Sequence, residues 1–296
     1  MFNKRDQWLF HFMLLPGIVL LLLFSFVPMA GITIAFENYY PSKGILGSKW
    51  VGLKNFRYMF ALPTFSQIFS NTIVIAVLKI IMGIAVPVFY ALLLNEIRRT
   101  GFKRAIQTAI YLPHFLSWVI LANIVGNIFA LDGAVNVLIR GLGGKEIYFM
   151  ASPPWFRRIV ILSDVWKEAG FGTVIYLAAI TGIDPTLYEA AAIDGAGKFQ
   201  RMVHVTLPGM APTIVLMATL ALGRVMDAGF DQIFNMYNPL VYETGDIIDT
   251  YVYRTGLVGA KYGLATAVGL MKSVISFVLI VLSYRLADRF AGYRIF

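Results

Sequence analysis

Apolar runs of about 20 residues recur along this 296-residue chain, and a helix of that length crosses a ~30 Å hydrocarbon core. In lipid every backbone N–H and C=O must be satisfied within the segment, so such runs are confined to helices. Six segments qualify: Phe12–Phe36, Ile68–Leu94, Ala105–Ala130, Ile159–Ile183, Met210–Gly229 and Ala265–Tyr284. The first is too long for a signal-peptide core and no small-residue cleavage site follows it, so it reads as a retained span. Composition agrees. The chain is 58% hydrophobic and 14% charged, against roughly 45–50% and about 25% for a soluble domain.

Several chemistries fall away at once. There is no cysteine, hence no disulfide, thiolate metal site or Cys nucleophile. His11, His114 and His204 are far apart and match no HExxH spacing. The net charge of +9 is scattered through loops between apolar runs, as membrane topology requires, so no nucleic-acid partner is expected. The short segment "NEIRRTGFKR" holds four basic residues. Its density places that loop, and with it both termini, on the cytoplasmic side.

On this topology the polar stretch "EAAAIDGAGKFQRMVHVTLPG" (Glu189–Gly209) lies inside the cell, between spans four and five. Asp184-Pro185 supplies an N-cap and a proline at the first helical position. Gly195 is placed to end that helix in a left-handed cap. A second short helix over Lys198–Val205 is then expected before Leu207-Pro208 and Pro212 restart the chain as span five. The outcome is a helix–glycine–helix elbow over residues 184–208. An amphipathic connector on the lipid surface is the plainer alternative.

The elbow resembles the EAA loop of ABC importer permeases, E-A-A-x3-G-x9-I-x-L-P. Glu189, Ala190, Ala191, Gly195, Leu207 and Pro208 match at the required spacing, and Val205 stands for Ile. The resemblance implies an all-α integral membrane protein of six transmembrane helices, N-in and C-in. It forms one permease domain over residues 1–296, with its core at about 68–285. It also implies that Glu189, Ala190, Ala191, Asp194, Gly195, Arg201, Leu207 and Pro208 couple the permease to a separate ATPase. The implied partners are a second homologous permease, two cytoplasmic ATPases and an extracytoplasmic sugar-binding protein. "PMAGITIAFENYYPSKGILGSKWVGLKNF" (Pro28–Phe56) and "GFDQIFNMYNPLVYETGDIIDTYVYRTGL" (Gly229–Leu257) are similar to the carbohydrate-uptake branch, especially permeases for complex oligosaccharides. Another solute class, or a secondary transporter without use for the elbow, are the competing readings.

A dependent subunit fits the residues. A P-loop needs GxxxxGK[ST]. "GAGKF" fails at Ala192 and Phe199, and "GLGGKE" ends in Glu146. ATP and Mg²⁺ are therefore expected on the partner ATPase, with no cofactor, metal or catalytic set on this chain. The substrate path should show as polar residues inside spans, because an intramembrane charge costs at least ~2.5 kcal/mol on insertion scales. The candidates are Lys79, Asn123, Asn127, Arg224, Asp227 and Lys272. Span four carries Asp164, Lys167 and Glu168; Asp164 and Lys167 are three apart on one helix face, and the set either neutralises itself or faces the substrate. Arg224 and Asp227 repeat that spacing and that ambiguity. Asn123 and Asn127 bond either sugar hydroxyls or a neighbouring helix. Trp118, Trp166, Tyr237 and Tyr242 serve either as stacking platforms or as an interface belt. Lys79 and Lys272 have no carboxylate three or four residues away. Their compensation is expected from a partner permease or from an acidic substrate.

Overall fold

The computed structural model describes residues 4–291, almost entirely as helices. They fall into two units. One comprises the N-terminal stretch through Phe65 with Tyr251–Met271, and the other Ser66–Thr250 with the last helix from Lys272 onward.

In the first unit, helix α1 (Lys4–Leu21) runs on through a π segment and a 3₁₀ turn that ends at Phe36. Leu14, Leu20 and Leu23 on it are exposed. An apolar surface on all sides suits lipid or another chain, not water. Strand β1 (Glu37–Asn38) pairs antiparallel with β2 (Lys49–Trp50), and Phe36 stacks on Trp50 at 5.4 Å. Helix α2 (Lys54–Ala61) follows. Its Asn55 donates to the carbonyls of Ala35 (2.9 Å) and Glu37 (3.0 Å), fixing β1 against α2.

The second unit is built around α3 (Pro63–Glu96) and α6 (Pro153–Thr181). At 34 residues α3 is about 51 Å long, well beyond the hydrocarbon core. Its buried positions Ile68, Thr72, Ile75, Ala76 and Lys79 recur every three or four residues, so one stripe of the helix faces protein. The segment around residues 243–246 is held against α3 by specific bonds. Asn71 donates to the carbonyls of Glu243 (3.0 Å) and Asp246 (3.1 Å), while Arg157 donates to Asn71 Oδ1 (2.7 Å).

Among the described residues, four stretches are apolar and long enough to cross a membrane unbroken: His11–Phe36, Pro63–Glu96, α8 (Lys198–Leu222) and the body of α10 (Tyr262–Ala291). Two more are bent pairs, so six spans result when each pair counts as one. The expected third span, Ala105–Ala130, is one of these. Helix α4 (Thr100–Tyr111) leads through a 3₁₀ turn at Leu112–Phe115 into α5 (Trp118–Ile128) across a 106° bend. Pro113 has no N–H to continue the ladder. Ser117 then starts a new helix by accepting from the Ile120 N–H (3.4 Å). The other pair joins α6 to α7 (Pro185–Ile193) through a 72° bend.

Span five also departs from expectation. A short helix starts at Lys198 as expected, but it runs on without a break, so span five extends from Lys198 and ends at Leu222 rather than Gly229. A π segment at Met202–Thr206 carries the chain into the turn that contains Pro208. A wider turn tolerates a proline that cannot donate back to residue 204.

Close backbone approach decides how α4 meets α6. A Cβ on Gly170 would overlap the Ile110 carbonyl. Gly170→Val should therefore cost at least the ~1–3 kcal/mol of an overpacked site, read as a lowered unfolding midpoint of the purified protein, whereas Gly83→Ala, in open space, should leave it near wild type.

Candidate functional site

A cavity of about 510 Å³ opens between α3, α6, α8 and the segment leading to α9 (Phe230–Met236). Lys79, Asp164, Glu168, Arg224, Asp227 and Gly229 contribute its polar wall. The chain thus brings residues 150 positions apart to one place.

The Lys79 ammonium organises that wall. It is 9% exposed and forms an ion pair with Asp164 Oδ1 at 3.1 Å. It also donates to the Ala228 carbonyl (2.8 Å) and to Gln232 Oε1. An ammonium has three N–H bonds, and all three are used within the chain. Gln232, fully buried, passes the contact on by donating to the Val160 carbonyl (2.7 Å) and to Ser163 Oγ (2.8 Å). One network therefore joins α3, α6 and α9. Gly229 makes room for it. Its φ of 90° is left-handed, and a Cβ there would stand 2.8 Å from the lysine nitrogen, so backbone and space both call for glycine.

This corrects the expectation that Lys79 is compensated by a partner or a substrate. Asp164 compensates it from α6, and Lys272 is likewise paired in-chain, with Asp249 Oδ1 at 2.5 Å. Lys272 does not line the cavity. The span-four set neutralises itself only in part: Lys167 and Glu168 pair, whereas Asp164 is taken by Lys79. Lys167 pairs with Glu168 (2.9 Å) and donates to the His114 carbonyl (2.8 Å). The His114 ring stacks on Phe171 at 4.1 Å and bonds Glu168 at 2.8 Å. Trp118 lies under the Lys167 ammonium at 5.7 Å. Arg224 and Asp227 both line the cavity and both are exposed. Their side chains form no ion pair with one another; Asp227 Oδ1 instead accepts from the Gly229 N–H (3.2 Å). Asn123 and Asn127 are exposed on α5 and do not line the cavity, Asn123 donating to its own helix at the Val119 carbonyl (2.8 Å).

Sequence reasoning missed Gln232 and the place of His114 beside Glu168. The available signal was slight. Gln232 is a polar residue between apolar neighbours in "FDQIF", but its partners lie about 70 and 150 positions away.

The elbow is well formed. Asp184 caps α7 by accepting from the Thr186 N–H (2.9 Å), and that bond holds its carboxyl below the usual carboxylate range. The other end is a Schellman motif: the Ala196 N–H reaches the Ala191 carbonyl (2.9 Å) and the Gly195 N–H the Ala192 carbonyl (3.1 Å). Gly195 has φ 79°, as the sequence led one to expect. Tyr188 Oη meets Thr206 Oγ1 at 3.0 Å, which fastens α7 to the start of α8. Glu189, Ala190, Asp194, Leu207 and Pro208 are exposed, while Ala191 and Arg201 are half-buried. Ile193 and Phe199 are strongly exposed, at 87% and 72%. The elbow thus turns these two large apolar side chains outward.

Residues 83–292 match the family described as binding-protein-dependent transport system inner membrane component. The chain belongs to that family. It is a multi-pass inner-membrane permease subunit, a transport component and not an enzyme. It is 45% identical over 286 residues to the polygalacturonan/rhamnogalacturonan transport system permease protein of Bacillus subtilis (strain 168), covering 96% of this chain and 89% of that one. Among solved structures it is similar to a chain of a bacterial ABC transporter involved in the import of the acidic polysaccharide alginate. There the TM-score is 0.89 and the identity 40%, over 97% of both chains. A second structure shows the alginate transporter in complex with an alginate pentasaccharide-bound periplasmic protein. It has TM-score 0.88 and 39% identity, and the match covers 97% of this chain and 96% of that one.

The Lys79–Asp164 pair yields a direct test. Removing one partner of a buried ion pair typically costs ~3–5 kcal/mol, because the other charge is left uncompensated. Asp164→Leu should therefore lower the unfolding midpoint of the permease more than the double variant Lys79→Met/Asp164→Leu does. Equal loss in both would mean that the pair is not the element holding α3 to α6.

Proposed function

We propose that this permease imports acidic oligosaccharides, and that Arg224 receives their carboxylates. The observation that carries the reading is the charge state of the cavity. Lys79 is fully used by its own chain, and Glu168 by Lys167 and His114. Arg224 lines the cavity, exposed, with no ion pair among the described residues. A guanidinium is always charged and grips a carboxylate through a two-pronged hydrogen bond, a stronger contact than a neutral hydroxyl provides. Relatives named for polygalacturonan and rhamnogalacturonan transport and for alginate import support an anionic sugar polymer as the substrate class. Asp227 would bond sugar hydroxyls beside Arg224.

In this reading both termini are cytoplasmic, residues 1–296 act as one permease domain, and the 184–208 elbow lies on the cytoplasmic face. There α7 docks on one of two ATPase subunits, which bind ATP and Mg²⁺. A second, homologous permease completes the translocation path, and an extracytoplasmic binding protein delivers the sugar. ATP binding favours one arrangement of the ATPase pair, and the elbow passes that preference to α6 and α8, which wall the cavity.

Two measurements test these assignments. With the binding protein and ATPases present in proteoliposomes, Arg224→Gln should lower uptake of tetragalacturonate about tenfold or more, as loss of a charge-assisted contact implies, while leaving any uptake of a neutral tetrasaccharide within about twofold. Equal loss for both would assign Arg224 a structural role. At the elbow, Gly195→Val strains the left-handed cap by ~1 kcal/mol or more, and Glu189→Lys reverses an exposed charge. Both should insert normally yet lose ATPase association or coupled uptake, and wild-type uptake in both would rule out the elbow as the coupling element.

A further inference from the structure

A second cavity, of about 590 Å³, lies in the unit that contains α1, α2 and the first turn of α10, and shares no residue with the Lys79 cavity. Its wall combines Tyr39, Tyr58 and Tyr262 with Glu37, Lys54 and Lys261. Three features indicate a site built for a ligand. Tyr262 and Tyr39 meet edge-to-face at 5.7 Å and 85°, so their rings are held in place before anything binds. Glu37 is 5% exposed, and its buried Oε2 has no hydrogen-bond partner, which a carboxylate oxygen does not sustain without cost. Ala260, in the same wall, has φ 51°. A non-glycine residue is held there only when its surroundings demand it, commonly at functional sites.

Gly263 keeps this wall compact. A Cβ on it would stand 2.7 Å from the Glu37 carbonyl oxygen and 2.8 Å from Asn55 Nδ2. The helix start, β1 and α2 are therefore packed backbone to backbone around the opening.

We propose that this second cavity is a saccharide subsite, separate from the Arg224 cavity. Aromatic faces, one acceptor and several donors in a concave space are the chemistry of a hydroxylated ring. The ring lies against Tyr39 and Tyr262, with the Glu37 carboxylate of the same wall as acceptor for its hydroxyls. Lys54 and Lys261 donate to ring oxygens, or to the carboxylate of a uronate residue. The inference rests on the reading that the chain carries oligosaccharides, but not on the acidity of the sugar.

The cysteine-free sequence makes the test direct. In the assembled transporter, Pro41→Cys places a single thiol on an exposed lining position. Its labelling by an impermeant maleimide is followed with increasing tetragalacturonate or cellotetraose. At least one sugar should slow labelling, and Tyr262→Ala should raise the half-protecting concentration about tenfold. Glu37→Gln, which preserves shape, should do so as well. Labelling that neither sugar slows, or protection unchanged in both variants, would overturn the subsite. Tetragalacturonate uptake by wild type and Arg224→Gln is measured alongside. Protection by cellotetraose without tetragalacturonate uptake would reject the acidic-substrate reading and leave the subsite standing, whereas normal uptake without protection by either sugar would do the reverse.

Discussion

The Lys79 ammonium is the interaction on which the larger unit depends. A cation within an apolar span is tolerable only when its charge and all its N–H bonds are satisfied, and here Asp164, the Ala228 carbonyl and Gln232 do so together. Because these partners sit on α6 and on the segment around α9, the cost of burying the charge sets the register of three elements at once. Gly229 belongs to the same device, since any side chain there would displace the lysine head. Such a network specifies one arrangement more than it adds stability.

That arrangement has a consequence for transport. Helix α6 carries Asp164 and Glu168 on the cavity wall and leads through Asp184 into α7 of the elbow. The elbow is stiffened at both ends of α7, by the aspartate cap and by the Schellman motif at Gly195. It is tied to α8 through Tyr188 and Thr206. A push on α7 would therefore reach α6 and α8, both of which line the cavity, with few soft joints between. The 72° bend is the joint itself.

Charge bookkeeping inside the cavity shapes what can enter it. Lys79 with Asp164, and Lys167 with Glu168, are closed pairs. Arg224 and Asp227 line the same cavity without an ion pair between them, at the same spacing along the chain as Asp164 and Lys167. The spacing alone does not tell the two cases apart. Neither i,i+3 pair closes on itself: Asp164 meets Lys79 across the fold, Lys167 meets its neighbour Glu168, and Asp227 accepts from the Gly229 N–H.

The sequence by itself determined the apolar spans, the elbow with its cap residues, and the left-handed glycine at 195, because these follow from local rules of length, period and capping. It also carried the family resemblance through Glu189–Pro208. Only the tertiary structure decided that span three is broken near Pro113, since a proline within an apolar run is compatible with either a kink or a break until the neighbouring helices are in place. The same holds for Lys79 and Lys272. Their carboxylates, Asp164 and Asp249, lie 85 and 23 positions away, beyond the reach of any helical spacing rule. Asn123 and Asn127 were plausible from composition, yet the face that α5 turns to its neighbours excludes them from the cavity. Long-range charge pairing and helix rotation are properties of packing, and packing is where the local signal ends.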